Sequence, residues 1–359
     1  MPLPESGQDA AMVFDESTLA QARRFNRQLD WAPRFRIRNR VIPLLIQSLL
    51  RLSQLTGARK LARAGVRAER RVVQSDGVNV ALRILRGVQP ARAVVLDFHG
   101  GGWVIGNAQM NDELNLATIE ACDVAVVSVD YRLAPGATLQ QMLDDCLAAA
   151  RWLLETQFAG LPVLVVGESA GGHLAAATLL RLQAWPQLLA RIKGAVLYYG
   201  VYDLAGTPGV HAAGADTLVL HGPSMAASLC LLTPGLDDVQ RRQAPISPLY
   251  GDLAGMPPAL MIAGQRDPLR DDTTLMAQRW RQVAPVEAHL VPEAPHGFIR
   301  FPTRMAKQVQ GRAHAWLRER IDAVVPQSRQ PGSVASRSEY GPPGRIPPSG
   351  PTPAFSPLG

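Results

Sequence analysis

The chain has 359 residues, 47% hydrophobic and 19% charged, with mean hydropathy near zero. That balance gives material for a large core and excludes both a polytopic membrane protein and a disordered chain. The net charge of +7 is local: between Arg34 and Arg71, ten arginines and Lys60 face a single acid, Glu69, so the remainder of the chain is slightly acidic and the protein is not basic throughout.

Residues 1–20 hold Glu5, Asp9, Asp15 and Glu16 and lack the apolar core of a secretory leader, which predicts a cytoplasmic location. Residues 15–65 read as helices, with Leu44, Leu45, Leu49, Leu50 and Leu52 at roughly helical spacing among arginines. Residues 1–70 are accordingly expected to form a helical N-terminal cap. A hairpin follows, Arg71 to Gln74 and Val78 to Leu85 around the Asp76-Gly77 turn. The run Ala93 to Phe98 reads as a buried strand that ends directly at His99-Gly100-Gly101-Gly102-Trp103.

From there strands and helices alternate. Strands are predicted at Asp123 to Val129, Val163 to Val166, Ile192 to Tyr199, Ala259 to Ala263 and Val286 to Leu290, and helices at Leu139 to Glu155 and Ala170 to Ala184. This alternation predicts an α/β fold, a mostly parallel central sheet with helices on both faces, over residues 71–325. Residues 203–250 break the pattern and are expected to add a second cap segment. Residues 326–359, dominated by Pro, Gly and Ser, are expected to be a disordered tail. Cys122, Cys146 and Cys230 are widely spaced and form no metal-ligand pattern, which predicts reduced thiols.

Two glycine-rich motifs carry the chemistry. Val163-Leu164-Val165-Val166-Gly167-Glu168-Ser169-Ala170-Gly171-Gly172-His173 is a strand, a G-x-S-x-G turn and a helix start. Such a turn lifts a serine hydroxyl out of the sheet's carboxyl edge, and the next helix aims its first amides at the same space. The structural alternative is a small-residue loop that permits close helix–strand packing. In His99-Gly100-Gly101-Gly102-Trp103, consecutive glycines leave amides unshielded, so Gly101 and Gly102, with Ala170, are the expected oxyanion donors. His99 is expected to anchor this loop. A phosphate-binding loop is disfavoured, because the Lys-Ser/Thr ending is missing.

A serine needs a base and the base needs a carboxylate, in the chain order Ser, Asp or Glu, His. His211, His221, His289, His296 and His314 follow Ser169, and only His296 lies in a loop just past a late strand. Asp267 lies at the carboxyl edge of the strand ending at Gly264, whereas Asp271 and Asp272 start a helix and read as caps or dipole partners. His173 reads as a packing residue, and Glu168 as a support for neighbouring loops.

These motifs, with Asp130-Tyr131-Arg132-Leu133-Ala134-Pro135, Ser247-Pro248-Leu249, Asp267-Pro268-Leu269-Arg270-Asp271 and His296-Gly297-Phe298, resemble the hormone-sensitive-lipase-like (family IV) esterases of the α/β-hydrolase superfamily. The resemblance runs from about residue 70 to 320. It implies a serine carboxylesterase acting on short- to medium-chain acyl esters through an acyl-enzyme, with Ser169, His296 and Asp267 as triad and no metal or organic cofactor. One departure is Gly136 after Pro135, where the family continues with Glu-His; the absent glutamate predicts altered activity more than an altered reaction. An amidase or formamidase with the same triad is the rival enzyme. A non-catalytic ligand-binding scaffold is disfavoured by the presence of His296. The basic segment 34–71 reads as a solvated cap, a contact to an anionic membrane surface or, without any reader motif, least of all a nucleic-acid site.

Overall fold

A computed structural model describes residues 12–36, 41–54, 57–156, 158 and 160–325. The tail 326–359, expected to be disordered, lies outside the described residues. Three helices come first: α1 (Glu16–Leu29), α2 (Val41–Ser53) and α3 (Gly57–Arg63). Asp15 caps α1 by accepting a hydrogen bond from the Thr18 amide at 2.6 Å.

The strands β1 (Arg67–Ser75), β2 (Val78–Arg86), β3 (Ala93–Phe98), β4 (Val124–Asp130), β5 (Val163–Glu168), β6 (Ile192–Tyr198), β7 (Ala259–Gly264) and β8 (Val286–Val291) form one sheet, ordered β1-β2-β4-β3-β5-β6-β7-β8. The β1–β2 and β2–β4 pairs are antiparallel and the remainder parallel. The hairpin turn has the positive φ angles expected of Asp-Gly, 48° at Asp76 and 78° at Gly77. β1 starts at Arg67, ahead of the strand expected from Arg71, and most of its residues are exposed. Its arginines and Glu69 charge an open edge, which discourages further pairing.

The central strands are buried on both faces, hence their unbroken apolar runs. Period two separates two cores: Val94, Leu96 and Phe98 of β3 face one, and Ala93 and Val95 face the other. The first is closed by α5 (Leu139–Glu155), α6 (Ala170–Leu182) and α11 (Arg270–Trp280), the second by α1, α4 (Asp112–Cys122) and α12 (Arg304–Asp322). Thr138 and Gln141 begin α5 with a reciprocal capping box.

The short helices α7 (Pro186–Leu189), α8 (Pro208–His211), α9 (Met225–Leu232) and α10 (Asp238–Arg241) complete the chain. The last three lie in the 203–250 stretch that breaks the alternation. That stretch joins the N-terminal segment by a parallel bridge. The Phe35 amide donates to Val219 O at 2.6 Å, the His221 amide donates to Phe35 O at 2.9 Å, and Arg34 donates to Thr217 O. Cys122 and Cys146 are buried, Cys230 on α9 is exposed, and all three are free. Among the described residues no helix is long and apolar enough to cross a membrane.

Candidate active site

The site gathers at the carboxyl ends of β3, β5, β7 and β8. Ser169 follows β5 with φ 53° and ψ −120°, a strained backbone for a residue with a side chain. Its amide donates to Tyr198 O at 2.9 Å, and its carbonyl accepts from the His173 amide at 3.1 Å. The glycines of the turn are required by contact: a Cβ on Gly167 would meet Gly171 O at 2.5 Å, and one on Gly171 would meet Phe98 O at 2.0 Å. The serine therefore sits on a corner that only a pair of glycines lets the chain turn.

Ser169 Oγ lies 2.9 Å from His296 Nε2, and His296 Nδ1 lies 2.8 Å from Asp267 Oδ2. With Nδ1–H donating to the carboxylate, Nε2 is free to accept the serine proton. Asp267 is 1% exposed and its other oxygen accepts the Leu269 amide at 2.9 Å, so its orientation is fixed. Tyr199 packs edge-on against the imidazole at 4.8 Å between ring centres. The structure thus brings together the three residues that the chain order singled out.

The glycine loop lies beside them. Gly101 and Gly102 take φ of 111° and 59°, and a Cβ on Gly101 would meet Ile105 O at 2.1 Å. Gly101 O accepts the Val104 and Ile105 amides at 3.2 and 3.1 Å, closing a tight turn. Among the described residues, no partner takes the Gly101 or Gly102 amide, and Ala170 heads α6, where helical amides lack an internal acceptor. His99 lies below the loop. Burial lowers its pKa to about 4, so it is neutral, and its Nδ1–H reaches Gly100 O at 2.7 Å while its ring stacks on Tyr131. The Tyr131 hydroxyl donates to His99 O at 2.7 Å, and the Ala134 amide donates to Trp103 O at 2.8 Å. The 130–135 motif is thereby the floor beneath the glycines. His173 accepts from Trp103 Nε1 at 3.3 Å and donates to Ile246 O at 2.8 Å, the packing role read from its position.

Asp271 and Asp272 do something the sequence does not disclose. Neither caps its own helix. Asp272 accepts the Tyr202 and Asp203 amides at 2.6 and 3.0 Å and the Thr207 hydroxyl at 2.8 Å, while Asp271 accepts the Gly209 amide. They pin the beginning of the 203–250 stretch.

A cavity of about 210 Å³ opens over Ser169. Its walls are mostly apolar, among them Phe35 of the N-terminal segment, Ile105 of the glycine loop, and Val219, Met225 and Leu229 of the 203–250 stretch. Phe35 stands directly over the glycines, since a Cβ on Gly102 would meet its ring at 3.0 Å. Beyond this loop, Gln47 of α2 exchanges two hydrogen bonds with the Gly106 backbone, each 2.8 Å, and Gln54 and Asn107 pair their side-chain amides reciprocally.

Besides Phe35, the site holds Tyr199 and Arg300, which no motif in the sequence marks. Tyr199 and Arg300 both reach Glu168, and the signal available was Glu168 itself, because a buried acid beside the serine demands a partner.

Fold and site together define an α/β hydrolase. A family model for the alpha/beta hydrolase fold matches residues 95–300, and the chain belongs to that family. It is 32% identical over 272 residues to the carboxylesterase NlhH of Mycobacterium tuberculosis, covering 72% of this chain and 84% of that one. It is likewise 32% identical to the ethyl acetate hydrolase of Pseudomonas putida, over 66% and 76% of the two chains. Among solved structures, the esterase LipW from Mycobacterium marinum superposes with a TM-score of 0.72 at 27% identity, covering 82% of this chain and 95% of that one. A hyperthermophilic esterase from the archaeon Pyrobaculum calidifontis gives 0.68 at 26% identity, with coverage of 83% and 96%.

Proposed function

We propose that the chain is a serine carboxylesterase for small acyl esters. The observation that carries this reading is the unbroken relay from Ser169 Oγ through His296 to Asp267 on the floor of an apolar cavity. Ser169 attacks the ester carbonyl as His296 Nε2 takes its proton, and Asp267 stabilises the imidazolium. The Gly101, Gly102 and Ala170 amides receive the negative charge on the carbonyl oxygen. His296 then protonates the leaving alcohol, and water, deprotonated by the same nitrogen, releases the acid. The small cavity and the carboxylesterase, ethyl acetate hydrolase and acetyl-hydrolase among the relatives favour short acyl groups. The N-terminal helices and the 203–250 stretch act as the cap that sizes the substrate. Labelling by a fluorophosphonate tests the nucleophile: wild type reacts and Ser169→Ala does not. Equal labelling of both would overturn it. Matched p-nitrophenyl esters and anilides separate esterase from amidase, with the esters turned over faster.

A second reading concerns where the enzyme works. Leu49 and Leu52 of α2 are 66% and 63% exposed one turn apart, beside exposed Arg51. Arg59, Arg63 and Arg67 are also exposed and have no acid partner among the described residues. Each basic side chain near an anionic bilayer contributes about 1 kcal/mol, so these exposed residues suit the anionic inner leaflet of a cytoplasmic membrane. A cytoplasmic setting also suits the three free thiols. Phosphatidylserine vesicles should sediment the protein at low salt and release it at high salt, and Leu49→Ser/Leu52→Ser should weaken binding. Equal binding to neutral phosphatidylcholine vesicles, or none to either, would end this reading.

A further inference from the structure

Glu168, immediately before the serine, is a hub for the three loops of the site. Its Oε1 accepts the Gly100 amide at 3.4 Å, at the start of the glycine loop. Its Oε2 accepts the Tyr199 hydroxyl at 3.0 Å, and the ring of Tyr199 backs the His296 imidazole. Both of its oxygens take the Arg300 guanidinium, Oε2 from Nε at 3.0 Å and Oε1 from Nη2. Arg300 closes the turn that begins at His296, and it also donates to Asn111 Oδ1 and to Met110 O. Asn111 in turn donates to the buried Asp97 at 2.8 Å.

We propose that Arg300 is a positioning residue for acyl transfer: by pairing with Glu168 it ties the histidine loop to the serine turn and the glycine loop, and it cancels a negative charge that would oppose the developing oxyanion. The proposal rests on Ser169 being the nucleophile. Its logic is electrostatic as well as geometric. Asp97 faces Glu168 from β3 and His99 from just beyond it, Tyr131 from beyond β4, and Tyr198 and Tyr199 from the end of β6 and the residue after it. Within that set Arg300 is the cation. Burial pushes the Glu168 carboxyl up, but the Arg300 charge and hydrogen bonds outweigh it and hold the group below its ordinary value. Without Arg300 a buried carboxylate would stand without a counter-charge beside the reacting carbonyl, and burial would push its titration above that of an exposed glutamate.

The test is a set of three variants, Arg300→Met, Arg300→Lys and Arg300→Met/Glu168→Gln, compared by kcat, KM and pH profile on a short p-nitrophenyl ester. Arg300→Met should lose kcat on the order of 10²-fold, the scale of a small misplacement of reacting groups, with KM little changed. Its profile should gain a new limb, above the usual carboxylate range, that falls as pH rises, because Glu168 then ionises without a counter-charge. Arg300→Lys should keep the wild-type profile shape at reduced kcat. The double variant should lose the falling limb and regain much of the rate, since glutamine still offers an oxygen to Gly100 without the charge. Should Arg300→Met not fold, Glu168→Gln and Arg300→Lys/Glu168→Gln carry the comparison: with residue 168 neutral, lysine and arginine at 300 should give equal kcat, and a lysine defect that persists there would overturn the proposal. An unchanged kcat and profile in Arg300→Met, or a double variant no better than the single one, would overturn the proposal. A wild type that escapes fluorophosphonate labelling would instead remove the nucleophile reading beneath it.

Discussion

At the scale of single residues, Asp267 and Asp272 show how position divides two buried carboxyls, one in the loop after β7 and the other in the first turn of α11. Asp267 turns toward His296, whereas Asp272 faces backbone amides and the Thr207 hydroxyl. Asp267→Asn should lower kcat on the order of 10³- to 10⁴-fold with the fold intact, because an amide holds the imidazole in the wrong tautomer; circular dichroism and ester kinetics check both halves. Asp272 makes a stability prediction instead. Burial raises its pKa to about 7, against three hydrogen bonds that pull it down. A carboxyl raised in the folded state holds its proton more tightly there than in the unfolded chain. Its contribution is therefore fully present below the unfolded value and is lost as pH rises through about 7. Asp272→Asn keeps an acceptor for the two amides without the charge. Its melting temperature should gain on wild type steadily between about pH 4 and pH 7, and parallel melting curves across that range would refute the assignment.

Among the elements, the turn between β5 and α6 and the loop after β3 are the parts whose backbone admits little change. Gly171→Ala would place a Cβ 2.0 Å from Phe98 O, backbone against backbone, where no side chain can move aside. A loss of about 3–5 kcal/mol or failure to fold is expected, read by urea melts of the soluble fraction. Gly102→Ala is different. Its Cβ would meet the Phe35 ring at 3.0 Å and its φ is 59°, so the cost falls on the loop and its amides. Here kcat should fall far more than stability, and stability lost with kcat retained would argue against these amides as oxyanion donors. Both glycine motifs were legible in the sequence because each is a local run whose chemistry depends on its own backbone. The central strands β3 to β7 were legible because two-sided burial makes them largely apolar. Arg300, Tyr199 and Asp272 were not, since each acts on an element distant in the chain and carries no local pattern. Phe35 was hidden for the same reason: its role exists only where the 217–221 backbone pairs with it.

For the molecule as a whole, one sheet carries the triad and the covering over Ser169 is assembled from two separate stretches. They meet at Phe35 and Leu220, and α2 is held to the glycine loop through Gln47 and Gln54. Gln47→Ala/Gln54→Ala should therefore leave the melting temperature nearly unchanged while raising KM and broadening acyl-chain tolerance, measured over a p-nitrophenyl ester series. A large drop in melting temperature would show that these amides support the fold itself. The basic charge of the chain has a local source, so salt should affect surface adsorption and leave turnover of a neutral ester almost untouched.

The distribution of thiols gives the experimenter a reporter without engineering. Cys146 is enclosed between α5 and the sheet and Cys122 beside α12, and burial pushes both thiols up, Cys122 to about 11. Thiolate, the form that reacts with a maleimide, is thus scarce at both. Cys230 is exposed on α9, the helix that lends Met225 and Leu229 to the cavity wall. A fluorescent maleimide should attach once to the native protein, at Cys230, and three times after denaturation. Its emission would then follow the covering of the cavity during turnover, one fluorophore per chain, in the unaltered sequence.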